Sequence, residues 1–450
     1  MNDTLIRDAE LVVTMDGEEI PGGWVALSDG TVTGTGPPGA EPAASRTLSA
    51  RGALVTPGLI NTHHHIFQNL TRSYAPATRY ELFDWLRTLY PLWTALDEEA
   101  VEVSTWVGLA ELALGGCTTT TDMLYAHPRP RLVDAQIRAA RQVGFRFHPA
   151  RGALDLPERD GGPAPDGLVE SVEDILSDSE RLVSAYHDPS PGSMLRIALA
   201  PSTQAAVTER LMVETAQLAE RLDVRLHTHL AEDPGEERHC LETFGRRPVE
   251  QFEHVGWGTP RAWVAHLVFS REEERARLAR WGTGVAHCPG STMMLGAGAA
   301  SLPELRDAGV TVSLGCDGSA STDHASLWLE ARTALTAARE RGGAAAARAR
   351  DILHAATVDA AANLGRDDGL GRLSPGAPAD VVVWELDEFA FAGAHTDLVE
   401  AWLRCGPVRP RHTLVQGRPL VEDGALTLPH AREMLTAHAR LSRRIQRLRT

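Results

Sequence analysis

Cysteine, surplus positive charge and long apolar runs are all scarce in this sequence. Only five of the 450 residues are cysteines, and they are scattered without the paired spacing of a disulfide framework. We therefore expect reduced thiols that serve as small core residues. The five are Cys117, Cys240, Cys288, Cys316 and Cys405.

The charge balance and the lack of apolar runs argue against two classes of partner. A net charge of −16 does not suit a broad nucleic-acid-binding face, which needs a cationic surface. No run is apolar enough to cross a bilayer, so no membrane partner is expected. Residues 1–4 lack the basic and apolar regions of a secretory signal, and we expect the protein in the cytoplasm.

What is present is the composition of a folded globular protein. Hydrophobic residues make up 43% of the chain and charged residues 23%, which is enough apolar surface for a large core and argues against disorder. The length allows two or three domains, or a single barrel with decorations. The motifs have to decide between these arrangements.

Between Leu54 and Asp317 the sequence repeats one unit: a short apolar or β-branched run that ends in polar residues, then a helix-forming stretch. This alternation predicts a parallel sheet of βα units. Eight units favour an α/β fold of the TIM (β/α)8 barrel type, which we expect over residues 57–371. The predicted strands end near Ile60, Thr120, Ala150, Ala200, His227, His266, His287 and Gly315.

Both ends of the chain have a different pattern. Short strand-like segments between Gly-rich turns predict a small β-sandwich that is assembled from residues 1–56 and 372–428. The expected strands are Leu11–Thr14, Gly23–Val32, Asp380–Glu385 and Thr413–Leu420.

Two further segments stand outside these units. Residues 429–450 predict a C-terminal helix, solvated rather than a partner-binding tail, and its basic residues are Arg443, Arg444, Arg447 and Arg449. The Pro- and Gly-rich insertion Pro157–Gly167 predicts a mobile surface loop.

Polar side chains lie at the ends of five of the predicted strands. In a closed barrel the loops that follow the strands converge over one mouth, so residues distant in sequence should meet there. They are His63 and His65 at the first strand, Asp122 at the second, His229 and Glu232 at the fifth, His266 at the sixth and Asp317 at the eighth.

The histidines have the spacing of metal ligands. Residues two apart in an extended chain point the same way, so His63 and His65 can face one ion, although a run of three histidines also fits a polar loop. The second cluster shifts the balance, because His229 can supply a third nitrogen. Glu232 would then lie beside the metal water, where a carboxylate can move protons. His227 is expected to support a ligand.

Asp317 and His266 complete the predicted constellation. An Asp-Gly pair is usually a turn, but Asp317 ends the last of eight strands and could supply an oxygen ligand and a hydrogen bond to the metal water. His266 lies in an apolar run where a core histidine is common, yet convergence favours a place beside the water. Three imidazoles, one carboxylate and an exchangeable water suit a single Zn²⁺, with Fe²⁺ or Mn²⁺ as alternatives.

Longer motifs extend the pattern over nearly the whole chain. They are the histidine run with Ile66-Phe67-Gln68, Glu81 to Leu86, Gly116 to Thr119, His227 to Glu232, His287-Cys288-Pro289 and Asp317 to Ser321. With these motifs the chain resembles the amidohydrolase superfamily, in the branch that contains 8-oxoguanine deaminase and the triazine and guanine aminohydrolases. The resemblance implies a distorted (β/α)8 barrel with a terminal β-sandwich.

The resemblance also implies roles for particular residues. The ion would be held by His63, His65, His229 and Asp317. Glu232 would shuttle protons, His266 would orient the attacking hydroxide, and Asp317 would accept one of its protons. On the substrate side the implied residues are Gln68 for the ring edge, Phe67, Tyr90 and Trp93 for the ring face, and Asp122 at the second strand end.

Four substrate-side positions depart from the 8-oxoguanine deaminase pattern. They are Met123-Leu124 in place of histidines, Gly290-Ser291-Thr292 in place of a serine and asparagine pair, Thr322 in place of an asparagine, and the altered Ser202-Thr203-Gln204. Losing amide and imidazole groups would leave an oxopurine edge poorly paired, which favours another ring. Met123, Met293 and Met294 are expected to pack in the core, with an apolar pocket as the alternative.

The function predicted is zinc-dependent hydrolytic deamination of an amino-substituted nitrogen heterocycle, such as an 8-oxoguanine-like purine or a pterin, with release of ammonia. An alternative with the same chemistry is loss of chloride or an alkylamine from a triazine-like ring. A catalytically silent barrel with an assembly or regulatory role is a third possibility, but such a protein would usually have lost a ligand or Glu232. The expected partners are a small-molecule substrate and, by resemblance, further copies of the chain.

Overall fold

The N-terminal strands belong to two sheets that flank the barrel. The computed structural model describes residues 2–447. The strands are β1 (Asn2–Arg7), β2 (Leu11–Val13), β3 (Glu19–Pro21), β4 (Trp24–Ser28), β5 (Thr31–Gly36), β6 (Ala44–Ser49) and β7 (Ala53–Pro57). The single strand predicted at Gly23–Val32 is wrong: Asp29 and Gly30 have φ values of 51° and 73°, the conformation of a tight hairpin turn, and they separate β4 from β5.

The predicted α/β barrel is confirmed. Its strands are β8 (Leu59–Asn61), β9 (His64–His65), β10 (Cys117–Leu124), β11 (Arg146–Ala153), β12 (Ala198–Pro201), β13 (Arg225–Leu230), β14 (Ala262–His266), β15 (Gly284–His287), β16 (Val312–Leu314) and β17 (Asp317–Gly318). Eight of them form a parallel sheet in the order β8-β10-β11-β12-β13-β14-β15-β16. The Thr62 N–H donates to the Leu314 carbonyl at 3.0 Å, and β17 pairs with β9, so the two edges of the sheet nearly close.

Helices surround this sheet and bury their apolar faces against it. They are α1 (Leu82–Trp93), α2 (Glu98–Leu114), α3 (Leu132–Val143), α4 (Val172–Tyr186), α5 (Glu209–Leu222), α6 (Pro234–Phe244), α7 (Pro248–His254), α8 (Glu272–Trp281), α9 (Pro289–Met294), α10 (Leu302–Asp307), α11 (Leu327–Gly342), α12 (Ala349–Ala355) and α13 (Val358–Asn363). In residues 2–447 no helix combines the length and hydropathy of a membrane span. All five cysteines are free thiols, as predicted.

The C-terminal strands complete the sheet that the N-terminal strands begin. The elements are β18 (Val381–Glu385), α14 (Leu398–Arg404), β19 (Pro410–Val415), β20 (Arg418–Glu422), β21 (Ala425–Leu426) and α15 (Ala431–Gln446). The seven-stranded order is β21-β20-β19-β18-β7-β2-β3, so β18 and β7 join the two ends of the chain. Side chains of both flanking sheets share one core, including Ile6, Val25, Val55 and Val383.

Two predicted surface segments are more buried than expected. Helix α15 is not simply solvated, because Leu441 and Ile445 are fully buried and the hydroxyl of Ser442 donates to the Leu70 carbonyl at 2.7 Å. The helix therefore supports the segment that follows His65; Arg449 lies outside the described residues. In the insertion Pro157–Gly167, Ala164 is fully buried because the insertion folds back on itself.

Candidate metal centre and active site

The four predicted metal ligands meet at one point of the barrel mouth. His63 follows β8, His65 ends β9, His229 lies in β13 and Asp317 begins β17. Their ligand atoms all lie within 4.8 Å of one another, and all four side chains are buried. Nε2 of His65 lies 3.0 Å from Nε2 of His229, and each of His63 Nε2 and His65 Nε2 lies 3.3 Å from Oδ1 of Asp317.

Hydrogen bonds on the far side of each ring aim its Nε2 at that point. Nδ1 of His65 donates to the Met123 carbonyl at 2.8 Å, and Nδ1 of His229 donates to the Ser202 carbonyl at 2.7 Å. A carbonyl can only accept, so in a neutral ring Nε2 carries the lone pair. Two such lone pairs 3.0 Å apart repel unless a cation lies between them, so the donor set fits a divalent ion.

The third imidazole is oriented by another histidine. Nδ1 of His227 donates to the Trp263 carbonyl at 2.9 Å, which leaves Nε2 of His227 to accept from Nδ1 of His63 at 2.7 Å. The His227 ring also stacks on the indole of Trp263, with centroids 4.3 Å apart. Nε2 of His63 then has no hydrogen-bond partner among the described residues. His227 supports a ligand, as the sequence predicted.

Burial keeps these imidazoles neutral, as ligation requires. Desolvation lowers the pKa of His65 to about 4 and that of His63 well below its usual value. It also lowers the pKa of His229, although Asp317 opposes the shift. A neutral ring can donate its lone pair to a metal without first losing a proton.

Glu232 and His266 face the cluster from one side. Oε1 of Glu232 lies 3.6 Å from Nε2 of His266, which in turn is 4.0 Å from Oδ2 of Asp317. Neither ring nitrogen of His266 has a hydrogen-bond partner within residues 2–447. Burial, and secondarily the charge of Asp317, raises the pKa of Glu232 well above its usual value. A carboxyl that accepts protons readily beside the cluster is suited to general acid–base chemistry.

Backbone strain is concentrated at the same place. Ala231, His266, Leu267 and Asp317 have φ values of 50°, 76°, 52° and 56°, in the left-handed region that residues with a Cβ avoid. All four lie where a barrel strand turns into its loop. Strain of this kind persists only where surrounding contacts enforce it, and it is typical of functional sites.

A cavity opens above the cluster. It is narrow and partly open to solvent. Its apolar wall includes Phe83, Trp85, Leu86, Tyr90, Tyr125 and Leu295, and its polar wall includes Gln68, Ser202, Thr203, Glu236 and Ser321. His65, His229, Glu232 and Asp317 also border it. Mainly aromatic and apolar walls with a few convergent polar groups are typical of a site for a small, flat molecule.

Comparison with known proteins agrees with this geometry. A model of the amidohydrolase family matches residues 54–419, which is most of the chain. The chain belongs to the amidohydrolase family. Together with the buried His/His/His/Asp cluster, membership of the family makes this a metal-dependent enzyme.

Two relatives and one solved structure show how extensive the similarity is. The chain is 43% identical over 431 residues to an 8-oxoguanine deaminase from Pseudomonas aeruginosa, covering 95% of each. It is 39% identical over 404 residues to a hydroxydechloroatrazine ethylaminohydrolase from Pseudomonas sp. strain ADP, covering 88% of this chain and 81% of that one. An atrazine chlorohydrolase from Arthrobacter aurescens TC1, complexed with zinc, matches with a TM-score of 0.93 and 31% identity, covering 98% of this chain and 100% of that chain.

In this family member two of the predicted substrate residues border the cavity. Gln68 is buried at its edge, and its Nε2 donates to the hydroxyl of Tyr125 at 2.9 Å. Tyr90 forms part of the aromatic wall. Trp93 is fully buried one layer behind, edge-on to Tyr90 and Phe67, and its indole N–H donates to Thr71.

Asp122 also lies behind the cavity wall. Its Oδ1 accepts the main-chain N–H of Ile66 at 2.5 Å, and its Oδ2 accepts the Gln136 amide at 2.6 Å. Burial raises the pKa of Asp122 to about 7. The structure therefore places this carboxyl where it anchors the segment between His65 and Gln68 rather than at the cavity itself.

Sequence reasoning assigned no substrate role to several residues that border the cavity, among them Tyr125, Phe83 and Glu236. Tyr125 follows β10 directly, a position that a strand-end search could have included. Glu236 follows Glu232 by four residues, but Glu232 precedes α6, so helical spacing does not apply to the pair and no sequence signal pointed to Glu236. Phe83 lies in a recognised motif, but nothing in its sequence context distinguished it.

Of the positions that depart from the 8-oxoguanine deaminase pattern, Ser202 and Thr203 border the cavity, whereas Met123 and Thr322 make structural contacts. The Met123 side chain is buried and its carbonyl accepts from His65, while the Thr322 hydroxyl binds main-chain carbonyls of its own loop.

Met293 and Met294 are 48% and 67% exposed, so their expected core packing is wrong. Both methionines are exposed at the end of the short helix α9, whose Pro289, Ser291 and Thr292 are buried.

Proposed function

We propose that the protein is a zinc-dependent hydrolase that deaminates an amino-substituted nitrogen heterocycle and releases ammonia. The observation that carries the proposal is the placement of Glu232 and His266 against the His/His/His/Asp cluster, on the floor of an aromatic cavity. The 43% identity to an 8-oxoguanine deaminase supports deamination, and the zinc complex of a structural relative supports Zn²⁺ over Fe²⁺ or Mn²⁺. A bound zinc ion would lower the pKa of water towards about 7 and so supply a nucleophile at neutral pH.

The chain's own residues account for the proton movements. Net reaction replaces the exocyclic C–NH₂ of the ring by C=O, consuming one water and releasing one NH₃. Glu232 would take one proton from the attacking water and deliver it to the ring nitrogen. His266 would hold the water in line by hydrogen bonding. Asp317 would accept the second water proton, which then passes to the departing –NH₂ so that it leaves as NH₃.

Of the four residues on the substrate side, two contact the ring and two hold those contacts in place. Gln68 hydrogen-bonds the ring edge through its carboxamide, and Tyr90 covers one face of the ring. Trp93 packs behind Tyr90 and keeps that wall rigid. Asp122 fixes the backbone between His65 and Gln68, and in that way it positions both a ligand and a substrate contact.

A second candidate is displacement of chloride or an alkylamine from a triazine-like ring. It is favoured by the 39% identity to an ethylaminohydrolase and by the structural match to a chlorohydrolase. The same nucleophile and the same Glu232 would serve, because only the leaving group differs. A silent barrel is disfavoured because the four candidate ligands lie close together and Glu232 lies beside them.

The test is a release screen on zinc-loaded protein over purines, pterins, pyrimidines and triazines. Ammonia, halide and alkylamine are each assayed in every reaction, with Glu232→Gln as the matched control. Ammonia release from at least one amino-substituted ring, absent with Glu232→Gln, supports the proposal. Release of halide or alkylamine without ammonia assigns the second function. A protein that holds no stoichiometric divalent ion and converts no ring is the silent barrel.

A further inference from the structure

A second glutamate, Glu236, borders the cavity, and only one of its two carboxyl oxygens accepts a well-aligned hydrogen bond within the described residues. Glu236 lies in the first turn of α6 and is only 3% exposed. Its Oε2 accepts the main-chain N–H of Glu232 at 3.0 Å. Its Oε1 is buried and has no hydrogen-bond partner among residues 2–447. Oε2 therefore has a structural role, whereas Oε1 makes no well-aligned hydrogen bond within residues 2–447, although the Thr203 hydroxyl lies near the carboxyl.

Buried carboxyl oxygens rarely stay unpaired, because losing water without gaining a donor is costly in free energy. Within the described residues Glu236 forms no ion pair, although Glu237 beside it pairs with Arg247. The cavity is the space that both Glu236 and Glu232 border. A donor for Oε1 can therefore come from a molecule that occupies the cavity.

The chemistry of that donor follows from the acceptor. An ionised carboxylate accepts strongly from N–H and O–H groups and rejects carbonyl oxygens and bare ring nitrogens. It also rejects a methyl group that replaces an N–H, because the methyl group fills the space and leaves the oxygen unpaired. Burial raises the pKa of Glu236 to about 7, so this selectivity applies above that pH. The heterocycles that suit the aromatic cavity present such N–H groups as lactams or amines.

We propose that Glu236 determines substrate specificity: its Oε1 accepts a hydrogen bond from an N–H of the ring, so the site selects rings with a lactam or amino N–H at that edge. This rests on the proposed function, since it assumes a heterocycle in the cavity. The same side chain also holds Glu232 in place by accepting its main-chain N–H. Substitution of Glu236 can therefore lower the turnover of every substrate, as well as the recognition of one edge of the ring. The two effects are separable by comparing rings.

The experiment uses 8-oxoguanine and derivatives of it in which one N–H at a time carries a methyl group. In Glu236→Gln the amide oxygen accepts the Glu232 main-chain N–H in place of the carboxyl oxygen. The amide NH₂ group then faces the N–H of the ring, and two donors cannot form a hydrogen bond. We expect kcat/KM for the ring with the recognised N–H to fall about 10- to 100-fold, the size of one charge-assisted hydrogen bond. For the derivative methylated at that nitrogen, the loss is expected to be at least ten times smaller.

Glu242→Gln is the matched control, because Glu242 is exposed on the same helix and loses the same charge. Its ring preferences should equal those of the unaltered protein. An equal loss for every ring in Glu236→Gln, with unchanged ratios between rings, overturns the proposal and leaves Glu236 as a support for Glu232.

Binding separates this inference from the proposed function. Calorimetric Kd values for the same rings are measured in zinc-loaded Glu232→Gln protein, with and without Glu236→Gln. Binding of rings without any ammonia release by the unaltered protein defeats the deaminase assignment, while the ratio of Kd values still decides the role of Glu236. Failure of 8-oxoguanine and of every other ring in the release screen to bind overturns both proposals.

Discussion

Nδ1 of His63 donates a hydrogen bond to Nε2 of His227 at 2.7 Å, one histidine holding another in place. The direction of that bond depends on a third residue. The Trp263 carbonyl accepts from Nδ1 of His227, so the proton of His227 is on Nδ1 and its Nε2 can only accept. The lone pair of His63 is thereby directed into the cluster. A residue that touches no metal consequently decides whether a ligand can bind one.

Replacing His227 by Phe should weaken zinc binding about 10- to 100-fold, the usual cost of losing a hydrogen bond to a metal-ligating histidine. Phe keeps the ring stacked on Trp263 but cannot accept from His63. Competition with a chromophoric chelator measures the affinity, and His227→Gln, whose carbonyl can accept, should be affected less. Equal affinities for the Phe variant and the unaltered protein would show that this bond does not orient the ligand.

Glu232→Gln should retain one zinc per chain and lose about 10² to 10⁴-fold in kcat, the typical contribution of a positioned proton-transfer group. The amide is isosteric, so the cluster is left undisturbed. Metal analysis and steady-state rates check both parts. Turnover within threefold of the unaltered enzyme would remove Glu232 from the mechanism.

Removal of the metal should abolish activity and lower stability. An ion that binds only the folded state stabilises it by about 2.7 kcal/mol when its free concentration is 100 times Kd. Dialysis against a chelator should therefore lower Tm by several degrees, and added Zn²⁺ should restore both Tm and turnover. Full activity after complete metal removal contradicts a metal-dependent mechanism.

Gly290 lies against a buried carboxyl that a larger residue would strike. Its N–H donates to Oε2 of Glu330 at 2.9 Å, and a Cβ at this position would lie 2.1 Å from Oε1. A larger residue at position 290 would therefore require the buried Glu330 carboxyl to move. Gly290→Ser should lower the free energy of unfolding by about 1–3 kcal/mol.

The matching control is the double variant Gly290→Ser with Glu330→Ala, which removes the clashing oxygen. Urea unfolding of the four proteins in this cycle should give a coupling of about 1 kcal/mol or more. Strictly additive effects would mean that the two residues do not constrain each other.

Glu330 also predicts a pH dependence of stability. Burial raises the pKa of Glu330 to about 8, with the Gly290 N–H opposing the shift. Between the ordinary pKa of a glutamate, about 4.5, and 8, the unfolded chain has lost a proton that the folded protein keeps. Stability therefore falls as pH rises through this window.

Glu330→Gln should remove that part of the pH dependence. Its Tm should match the unaltered protein near pH 5 and exceed it increasingly towards pH 8, where the folded carboxyl would otherwise ionise. Glu340→Gln, exposed on the same helix, should show no such divergence. The explanation fails if the Tm difference between Glu330→Gln and the unaltered protein is constant from pH 5 to pH 8.

Much of the fold was predictable because it depends on repeated local patterns. Eight alternations of apolar runs and helix formers required a parallel sheet, and the strands end where predicted to within a few residues, except that β10, β11 and β13 continue somewhat further. The errors in the predicted strands occur at tight turns, which the hydrophobic pattern does not reveal. Asp29-Gly30 and Gln416-Gly417 each turn the chain with two positive φ values, and each splits a predicted strand into a hairpin.

Only the part of the site at the strand ends was predictable from the sequence. His63, His65, His229 and Asp317 meet because strand ends converge in any closed barrel, whatever the loops do. Which substrate-side residues reach the cavity depends on how α1, α6 and the loops pack over the mouth. Asp122 and Trp93 lie one layer behind it, whereas Glu236 and Tyr125 border it.

The sequence alone determined the kind of atoms available, imidazole nitrogens and carboxylates at the ends of eight parallel strands, and hence the metal chemistry. Only the tertiary structure decided their directions. The strained φ values at Ala231, His266 and Asp317, the tautomer imposed by His227 and the unpaired oxygen of Glu236 all arise from contacts between distant segments. Hydrogen-bond direction and desolvation depend on neighbours in space, and these neighbours exist only once the barrel has closed.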